Sequence, residues 1–132
     1  MATIQRFEDL EVWQMARKFS LSIFKLTLGE KFLKEYKFKE QIKSSSCSVM
    51  DNIAEGFGRE SRLEFINFSG IAKGSLNESK SPLYRAFDHE YISQGILNTH
   101  LEEAKIISAK ISAFMIHLNK TEFKGQKFKD RS

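Results

Sequence analysis

The sequence predicts an all-α protein, an antiparallel up-down-up-down bundle of four helices. Three observations support this prediction. The 132 residues include one proline and seven glycines, whereas a sheet protein needs a turn signal about every ten residues. Four segments place apolar residues at helical spacing, and no segment competes with them as a strand. The links between these segments are short, which favours helices that pack as antiparallel neighbours.

The first predicted helix covers residues 7–28. Its main apolar line consists of Val12, Ala16, Phe19, Ile23 and Leu26. Further large apolar residues lie mostly off that line, namely Leu10, Trp13, Leu21, Phe24 and Leu28. The helix therefore has more apolar surface than one stripe requires, either because it is deeply buried or because it contacts another subunit. We expect Gly29 to end this helix.

The second predicted helix covers residues 38–57 and contains an unbroken row of small residues from Ser44 to Ser48. Serine is a mediocre helix former, so the row needs a structural reason. We expect a neighbouring helix to approach closely at this row. Gly56 and Gly58 should end the helix.

The third predicted helix begins at Ser61, an N-cap with Glu64 three residues on, as in a capping box. Its apolar line runs from Phe65 to Ala86. Gly74 lies in the middle of the helix, so we expect another helix to cross closely there. Pro82 predicts a bend or a break between residues 77 and 80.

The fourth predicted helix is capped by Ser93 and has the most regular pattern in the chain. Its seam is Leu97, Leu101, Ala104, Ser108, Ile111, Met115 and Leu118. These residues alternate spacings of four and three, as in a coiled coil. We expect residues 1–119 to form one bundle domain, and residues 120–132 to be a flexible basic tail without an apolar stripe.

The composition argues against several classes of function. The formal net charge is +4, which is compatible with nucleic-acid contact and also with a solvated lysine surface. A single cysteine, Cys47, excludes an intrachain disulfide and a multi-cysteine zinc site. His89, His100 and His117 are too widely spaced for a helical metal pair.

We expect no enzyme activity, no metal and no cofactor. We also expect no signal peptide, no membrane association and a cytoplasmic location.

Two sets of residues are candidates for binding or for a structural polar network. The basic candidates for contact with RNA or DNA are Arg17, Lys18, Lys25, Lys34, Lys37, Lys43, Arg59, Arg62 and Lys73. The polar candidates are Asn52, Glu55, Asn77 and Glu78. We expect these four to satisfy one another across the second and third helices and to fix their register. The alternative is a carboxylate pair that faces a ligand.

Several sequence motifs are recognisable. They are Phe7-Glu-Asp-Leu-Glu-Val-Trp-Gln-Met-Ala16, Asn52-Ile-Ala-Glu-Gly56 and Ile71-Ala-Lys-Gly-Ser-Leu-Asn-Glu78. Over residues 7–118 the chain resembles the bacterial four helix bundle protein family, named for proteins encoded in intervening sequences of large-subunit ribosomal RNA genes. At greater distance it resembles the accessory variability protein of diversity-generating retroelements. The chain departs from the family pattern at Met50-Asp51, where a proline is usual, and at Pro82.

The resemblance implies an antiparallel bundle that assembles as a homopentameric barrel. For the retroelement relatives it also implies binding of nucleic acid and of a reverse transcriptase, a partner expected here only if a retroelement encodes the chain. The leading functional hypothesis is a non-catalytic homo-oligomer that contacts RNA or DNA through basic surfaces. The alternative is a structural or protein-interaction scaffold that binds no nucleic acid.

Overall fold

The computed structural model describes residues 4–120, which are all-helical and contain no strand. A 3-10 turn at Phe7–Asp9 precedes five helices: α1 (Glu11–Leu26), α2 (Glu30–Leu33), α3 (Tyr36–Gly58), α4 (Arg62–Asp88) and α5 (Gln94–Lys120). The four long helices, α1, α3, α4 and α5, correspond to the four segments expected from apolar periodicity. The all-α class is thus confirmed, and the fold is a helical bundle.

Each long helix packs against two others. α1 contacts α3 and α5, and α4 also contacts α3 and α5, so α1 and α4 lie at opposite corners. The largest fully buried side chains are Phe19, Ile23, Phe32, Ile42, Ile53, Phe57, Phe65, Leu76, Leu83, Ile107, Ile111 and Leu118. Burying each such side chain contributes about 1.5–3 kcal/mol. This shared core holds the helices together.

The first helix is shorter than predicted at both ends. The chain enters it through the 3-10 turn, where the Phe7 ring packs edge-on against Trp13 with the ring centroids 5.1 Å apart. Thr27 lies at its C-cap, and the Thr27 hydroxyl donates to the Phe24 carbonyl at 2.7 Å. Gly29 is therefore not the residue that ends this helix. It is the N-cap of the short helix α2, which buries Phe32 in the core.

α3 ends at Gly58, as the glycine pair predicted, but Gly56 lies within the helix. Gly56 is buried against α4, where an added Cβ would lie 2.7 Å from Phe68 Cβ and 3.0 Å from Phe65 Cδ1. Only glycine fits such a close approach, so Gly56 is a packing residue. The chain instead reverses after α3 through Glu60, whose φ is 56°.

The serine row of α3 is only partly covered by neighbouring helices, because Ser44 and Cys47 are exposed. Ser45 and Ser46 are buried, and their hydroxyls donate to the carbonyls of Ile42 and Lys43, one turn earlier in the same helix. Small side chains that satisfy themselves in this way can be buried without a polar partner on another helix. The expected close crossing at Gly74 is wrong, because an added Cβ there would meet no atom within 4 Å.

α4 runs without interruption through Pro82, so the predicted break does not occur. Pro82 is itself buried, and that burial offsets the helical hydrogen bond that proline cannot donate. Both predicted caps are confirmed. The Ser61 hydroxyl accepts from the Glu64 N–H at 3.4 Å, and the Ser93 hydroxyl accepts from the Ile96 N–H at 3.2 Å.

α5 places its predicted seam toward the interior. Leu97, Ala104, Ile111 and Leu118 are buried, and the seam residues between them are partly buried. α5 extends to Lys120. The rest of the expected basic tail, residues 121–132, lies outside the described residues, and the division of the chain into bundle and tail stays a prediction.

Candidate nucleic-acid interface

The solvent-facing side of α1 carries two neighbouring lines of residues. Lys18 and Lys25 are both exposed and lie seven residues apart, which places them on one side of the helix. Beside them, Leu21, Phe24 and Leu28 expose 52%, 44% and 54% of their surface. We call Lys18 and Lys25 the basic line, and Leu21, Phe24 and Leu28 the apolar line. No carboxylate occurs between residues 12 and 29, so nothing within this segment neutralises its cations.

Arg17 belongs to the same side of α1 but is held by an aromatic ring. Its guanidinium carbon lies 5.6 Å from the centroid of the Trp13 ring, a cation–π contact. Both residues line a shallow cavity of about 570 Å³. Glu8 also lines this cavity, and its carboxylate accepts from Arg6 at 3.0 Å. The hydrogen bond to Glu8 raises the pKa of Arg6.

Lys34 lies in the link from α2 to α3, and Lys37 lies in the first turn of α3. Both follow α1 and the short helix α2 in the chain. Both are exposed. Lys43 is more constrained, because its Nζ atom lies 3.5 Å from the Glu40 carboxylate and 5.6 Å from the Phe24 ring centroid. The field of this region is therefore reduced by Glu40, as its mixed composition suggested.

Arg59 and Arg62 lie at the other end of α3 and make structural contacts. Arg59 is 3.1 Å from the Glu55 carboxylate and 3.8 Å from that of Glu64, and it covers the Phe68 ring at 5.1 Å. Arg62 donates to the Leu118 carbonyl at 3.1 Å, at the C-terminal end of α5. The negative end of the helix dipole stabilises a cation at that position.

The nine basic candidates do not form one continuous patch. The 23 residues of α3 span roughly 34 Å at about 1.5 Å per residue, and they separate Lys37 from Arg59. Lys73 is half-buried on α4, at the opposite corner from α1. Among the nine candidates, those that are exposed and have no described ion pair lie on α1 and in or beside the α2–α3 link: Arg17, Lys18, Lys25, Lys34 and Lys37.

The predicted polar network is largely wrong. Asn77 and Glu78 are exposed, and exposed Glu55 pairs with Arg59. The network that does cross between the two helices links Ser75, Ser48 and Asn52. The Ser75 hydroxyl donates to Ser48 Oγ at 2.9 Å, and Asn52 Nδ2 donates to the same oxygen at 2.9 Å. Of the three, Ser75 is buried, and Ser48 and Asn52 are half-buried.

The histidines and the cysteine make contacts typical of packing. His89 packs edge-on against Phe38 and Tyr91, and His100 Nδ1 lies 2.8 Å from the Ile96 carbonyl. Cys47 Sγ is 3.2 Å from the Ser20 hydroxyl. Within residues 4–120, no group of three or more histidine, cysteine or acidic side chains is arranged to hold a metal ion.

The pKa of the Glu103 carboxyl group is shifted by its surroundings. Half-burial beside α1 raises the pKa of its carboxyl group, while a hydrogen bond from Ser22 at 3.1 Å and the nearby His100 oppose the shift. The group lines a cavity of about 250 Å³ with Met15, Lys18 and Ile106. The Ser22 hydroxyl is its described hydrogen-bond partner, and the pair by itself supplies one element of acid–base chemistry.

Sequence reasoning missed a groove between α4 and α5. It has a volume of about 360 Å³ and is lined by Lys80, Tyr84, Asn98, Leu101, Glu102 and Lys105. The sequence indicates these two groove walls through the spacing of their residues along each helix. Lys80 and Tyr84 are four residues apart, and the α5 residues follow at intervals of three, one and three, so each set occupies one helix face. Their convergence depends on how α4 and α5 pack.

None of the helices in the described part of the chain is both long and apolar enough to cross a membrane.

Comparisons with known proteins place the chain in a family. A crystal structure of a protein of unknown function from the S23 ribosomal protein family of Bacteroides thetaiotaomicron is similar to it, with a TM-score of 0.71 and 26% sequence identity. The match covers 78% of this chain and 96% of that one. No curated protein matches significantly. The profile of the 23S rRNA-intervening sequence proteins matches residues 8–113. Because this match spans most of the helical bundle, the chain belongs to the 23S rRNA-intervening sequence protein family.

Proposed function

We propose that the protein is a non-catalytic, self-assembling helical bundle that contacts RNA or DNA through the basic line of α1 and the α2–α3 link. The observation that carries this proposal is the segment from residue 12 to residue 29, which has three exposed cations and no carboxylate. Cations without local partners are the groups that phosphates attract. The family description names an intervening sequence of 23S ribosomal RNA, so structured ribosomal RNA is the first ligand to test.

An antiparallel arrangement of the long helices is part of the proposal. Two contacts between α1 and α5 support it. Lys110 lies 3.1 Å from Glu11 near the start of α1, and Glu103 accepts from Ser22 farther along it. As the residue number rises on α1 it falls on α5. The short links between successive helices favour the same up-down-up-down order.

Self-assembly is supported by exposed apolar residues at two opposite corners of the bundle. The first is the apolar line of α1. The second is the outer side of α4, where Leu63 and Ile71 expose 62% and 45% of their surface and Gly74 leaves open space. Two different faces on opposite sides suit head-to-tail contacts, which close into rings when the rotation allows it. The pentamer implied by the family resemblance would be such a ring.

A salt titration tests the nucleic-acid part of this function. Fluorescence anisotropy should show binding to a structured RNA at low salt, with an affinity that falls steeply as salt increases. A Lys18→Ala/Lys25→Ala/Lys34→Ala variant should weaken binding and reduce the salt slope by about one for each phosphate that is no longer neutralised. The matched control is Arg59→Gln, which removes a cation already paired with carboxylates. The absence of binding at low salt would refute this part of the proposal.

Light scattering tests self-assembly separately. We expect a mass well above 15.3 kDa for the wild type, and a reduced mass for Leu21→Glu and for Ile71→Glu. If contacts are head-to-tail, mixing the two variants should restore pairs, because each retains one intact face. A monomeric wild-type protein would contradict this part.

The apolar line also favours a second candidate function, a protein-interaction scaffold that binds no nucleic acid. Exposed apolar residues grouped on one helix commonly mark protein contacts. An assembly that persists in light scattering, combined with no RNA or DNA binding at low salt, would favour the scaffold.

A further inference from the structure

The groove between α4 and α5 combines an aromatic ring, two lysines, a carboxylate and an amide. Tyr84 exposes 51% of its surface on one wall. Lys80 stands one turn before it, and Lys105 stands on the opposite wall with Glu102 and Asn98. Leu101 adds a partly buried apolar residue to the lining.

We propose that this groove binds one unpaired nucleotide of a single-stranded nucleic acid, with its base stacked on Tyr84. The inference deepens the proposed nucleic-acid function and rests on it. It assigns the unpaired base to α4 and α5, at a site separate from the basic line of α1.

The Tyr84 ring is available for stacking. Within residues 4–120 it has no aromatic or cation partner, whereas Tyr36, the other strongly exposed tyrosine, has Lys39 Nζ 5.7 Å from its ring centroid. A base that stacks on an exposed aromatic ring gains affinity without requiring a particular sequence, because every base has a flat face.

The charged groups of the groove suit the remaining parts of a nucleotide. Half-buried Lys80 and exposed Lys105 take part in none of the ion pairs of the described residues, so both can meet phosphate oxygens. Asn98 can donate to and accept from a base edge, and Glu102 can accept from an exocyclic amine. Two cations against one carboxylate leave the groove with a net positive charge, which complements the ligand.

The size and shape of the groove select a single strand. Its volume of about 360 Å³ lies at the lower end of the range of about 300–1,000 Å³ for small-ligand pockets, which suits one nucleotide. A paired base is stacked within its helix and cannot lie against the Tyr84 ring. We therefore expect loops, ends and single strands to bind here, and paired regions not to.

The test uses the full chain and three labelled oligonucleotides: a 12-nucleotide single-stranded RNA, the DNA of the same sequence, and the RNA paired with its complement. Fluorescence anisotropy should show that Tyr84→Ala weakens binding of the single strands about 5- to 150-fold. Binding of the duplex should change little. Tyr84→Phe should retain the affinity, because it keeps the aromatic face.

The matched control is Ile116→Ala, which removes a large side chain of similar exposure on α5 outside the groove and should leave the affinity unchanged. A 2-aminopurine base in the RNA strand should lose fluorescence on binding to the wild type and lose less on binding to Tyr84→Ala. Binding of the single-stranded RNA only, or of both the RNA and the DNA single strands, agrees with the groove. The difference between the two affinities shows whether the protein contacts the 2′-hydroxyl.

Two outcomes would overturn the inference and can be distinguished. If the wild type binds nucleic acid but Tyr84→Ala matches it, or if duplex and single strand bind equally, the groove is not the site and the α1 proposal stands. If the wild type binds none of the three oligonucleotides and no structured RNA at low salt, both proposals fail.

Discussion

The α3–α4 contact and the α1–α5 contact join helices of the same bundle by different means. α3 and α4 approach so closely that Gly56 meets the Cβ of Phe68, and serine hydroxyls fill the space that remains. The contact between α1 and α5 is much less extensive. A half-buried carboxylate that lines a cavity of about 250 Å³ and an exposed ion pair link the two helices. Small residues thus allow a close contact, and longer polar side chains span a looser one.

The comparison implies that α3–α4 contributes more to stability, while α1–α5 is the easier pair to alter. Close packing cannot absorb added atoms, because neighbouring backbones would have to move. A contact with a cavity and a titratable group tolerates changes in side-chain size and responds to pH. Substitutions at the first contact should therefore have larger effects than substitutions at the second.

Gly56→Ala should have the largest effect. The new methyl group would lie 2.7 Å from Phe68 Cβ, which is fixed to the backbone of α4. We expect the free energy of unfolding to fall by about 1–3 kcal/mol, as in other overpacked cores. Denaturant unfolding measures the change.

Gly74→Ala is the matched control, since the same methyl group meets open space there. It should raise the free energy of unfolding by about 0.5–1 kcal/mol through helix propensity alone. If both variants shift stability in the same direction, the α3–α4 contact is not as close as described.

Ser75→Ala should have an intermediate effect. It removes the donor to Ser48 at the centre of the α3–α4 contact. We expect a loss of about 0.5–1.5 kcal/mol in unfolding free energy. Ser81→Ala, at an exposed position of the same helix, should be close to neutral. Equal effects of the two substitutions would show that the hydroxyl network adds nothing.

Glu103→Gln should have a smaller, pH-dependent effect at the α1–α5 contact. Burial raises the pKa of Glu103 above its ordinary value of 4.5, so the folded state disfavours its charge. The destabilisation is present above the raised pKa and disappears as pH falls below 4.5. The glutamine variant should therefore be more stable at neutral pH, by less than about 1 kcal/mol because solvent screens a half-exposed group.

Thermal unfolding measured between pH 3 and pH 8 tests this expectation, with about one pH unit between points. The advantage of Glu103→Gln should shrink steadily as the solution is acidified. Lys18 lines the same cavity, and Ser22 and His100 face the carboxylate, so their substitution should change the profile. An advantage that is constant across the range would show that Glu103 does not cause it.

Lys110→Ala should have the smallest effect. Its Nζ atom lies 3.1 Å from Glu11, but about half of the lysine side chain and two thirds of the glutamate side chain are exposed. We expect a loss of about 0.2–1 kcal/mol that diminishes with added salt. A larger loss in thermal unfolding would show that the ion pair, and not the buried side chains, holds α1 to α5.

The candidate interface shows why residue type alone identified some groups and not others. The exposed lysines of α1 could be predicted, because they lie opposite its buried face, which is formed by Val12, Ala16, Phe19 and Ile23. The roles of Arg59 and Arg62 could not, because their partners belong to other turns and other helices. Asn77 and Glu78 lie between the buried residues Leu76 and Ser79 in the sequence, but both are exposed.

The sequence by itself determined the helices, the caps at Ser61 and Ser93, the inward seam of α5 and the surplus apolar surface of α1. These features depend on spacing along one helix, which the chain encodes locally. Only the tertiary structure decided that Gly56 and not Gly74 marks the closest approach, that serines form the buried network, and that Lys80, Tyr84 and Lys105 share a groove. These features depend on how two helices are rotated and spaced against each other, and that is decided by the packing of the whole core.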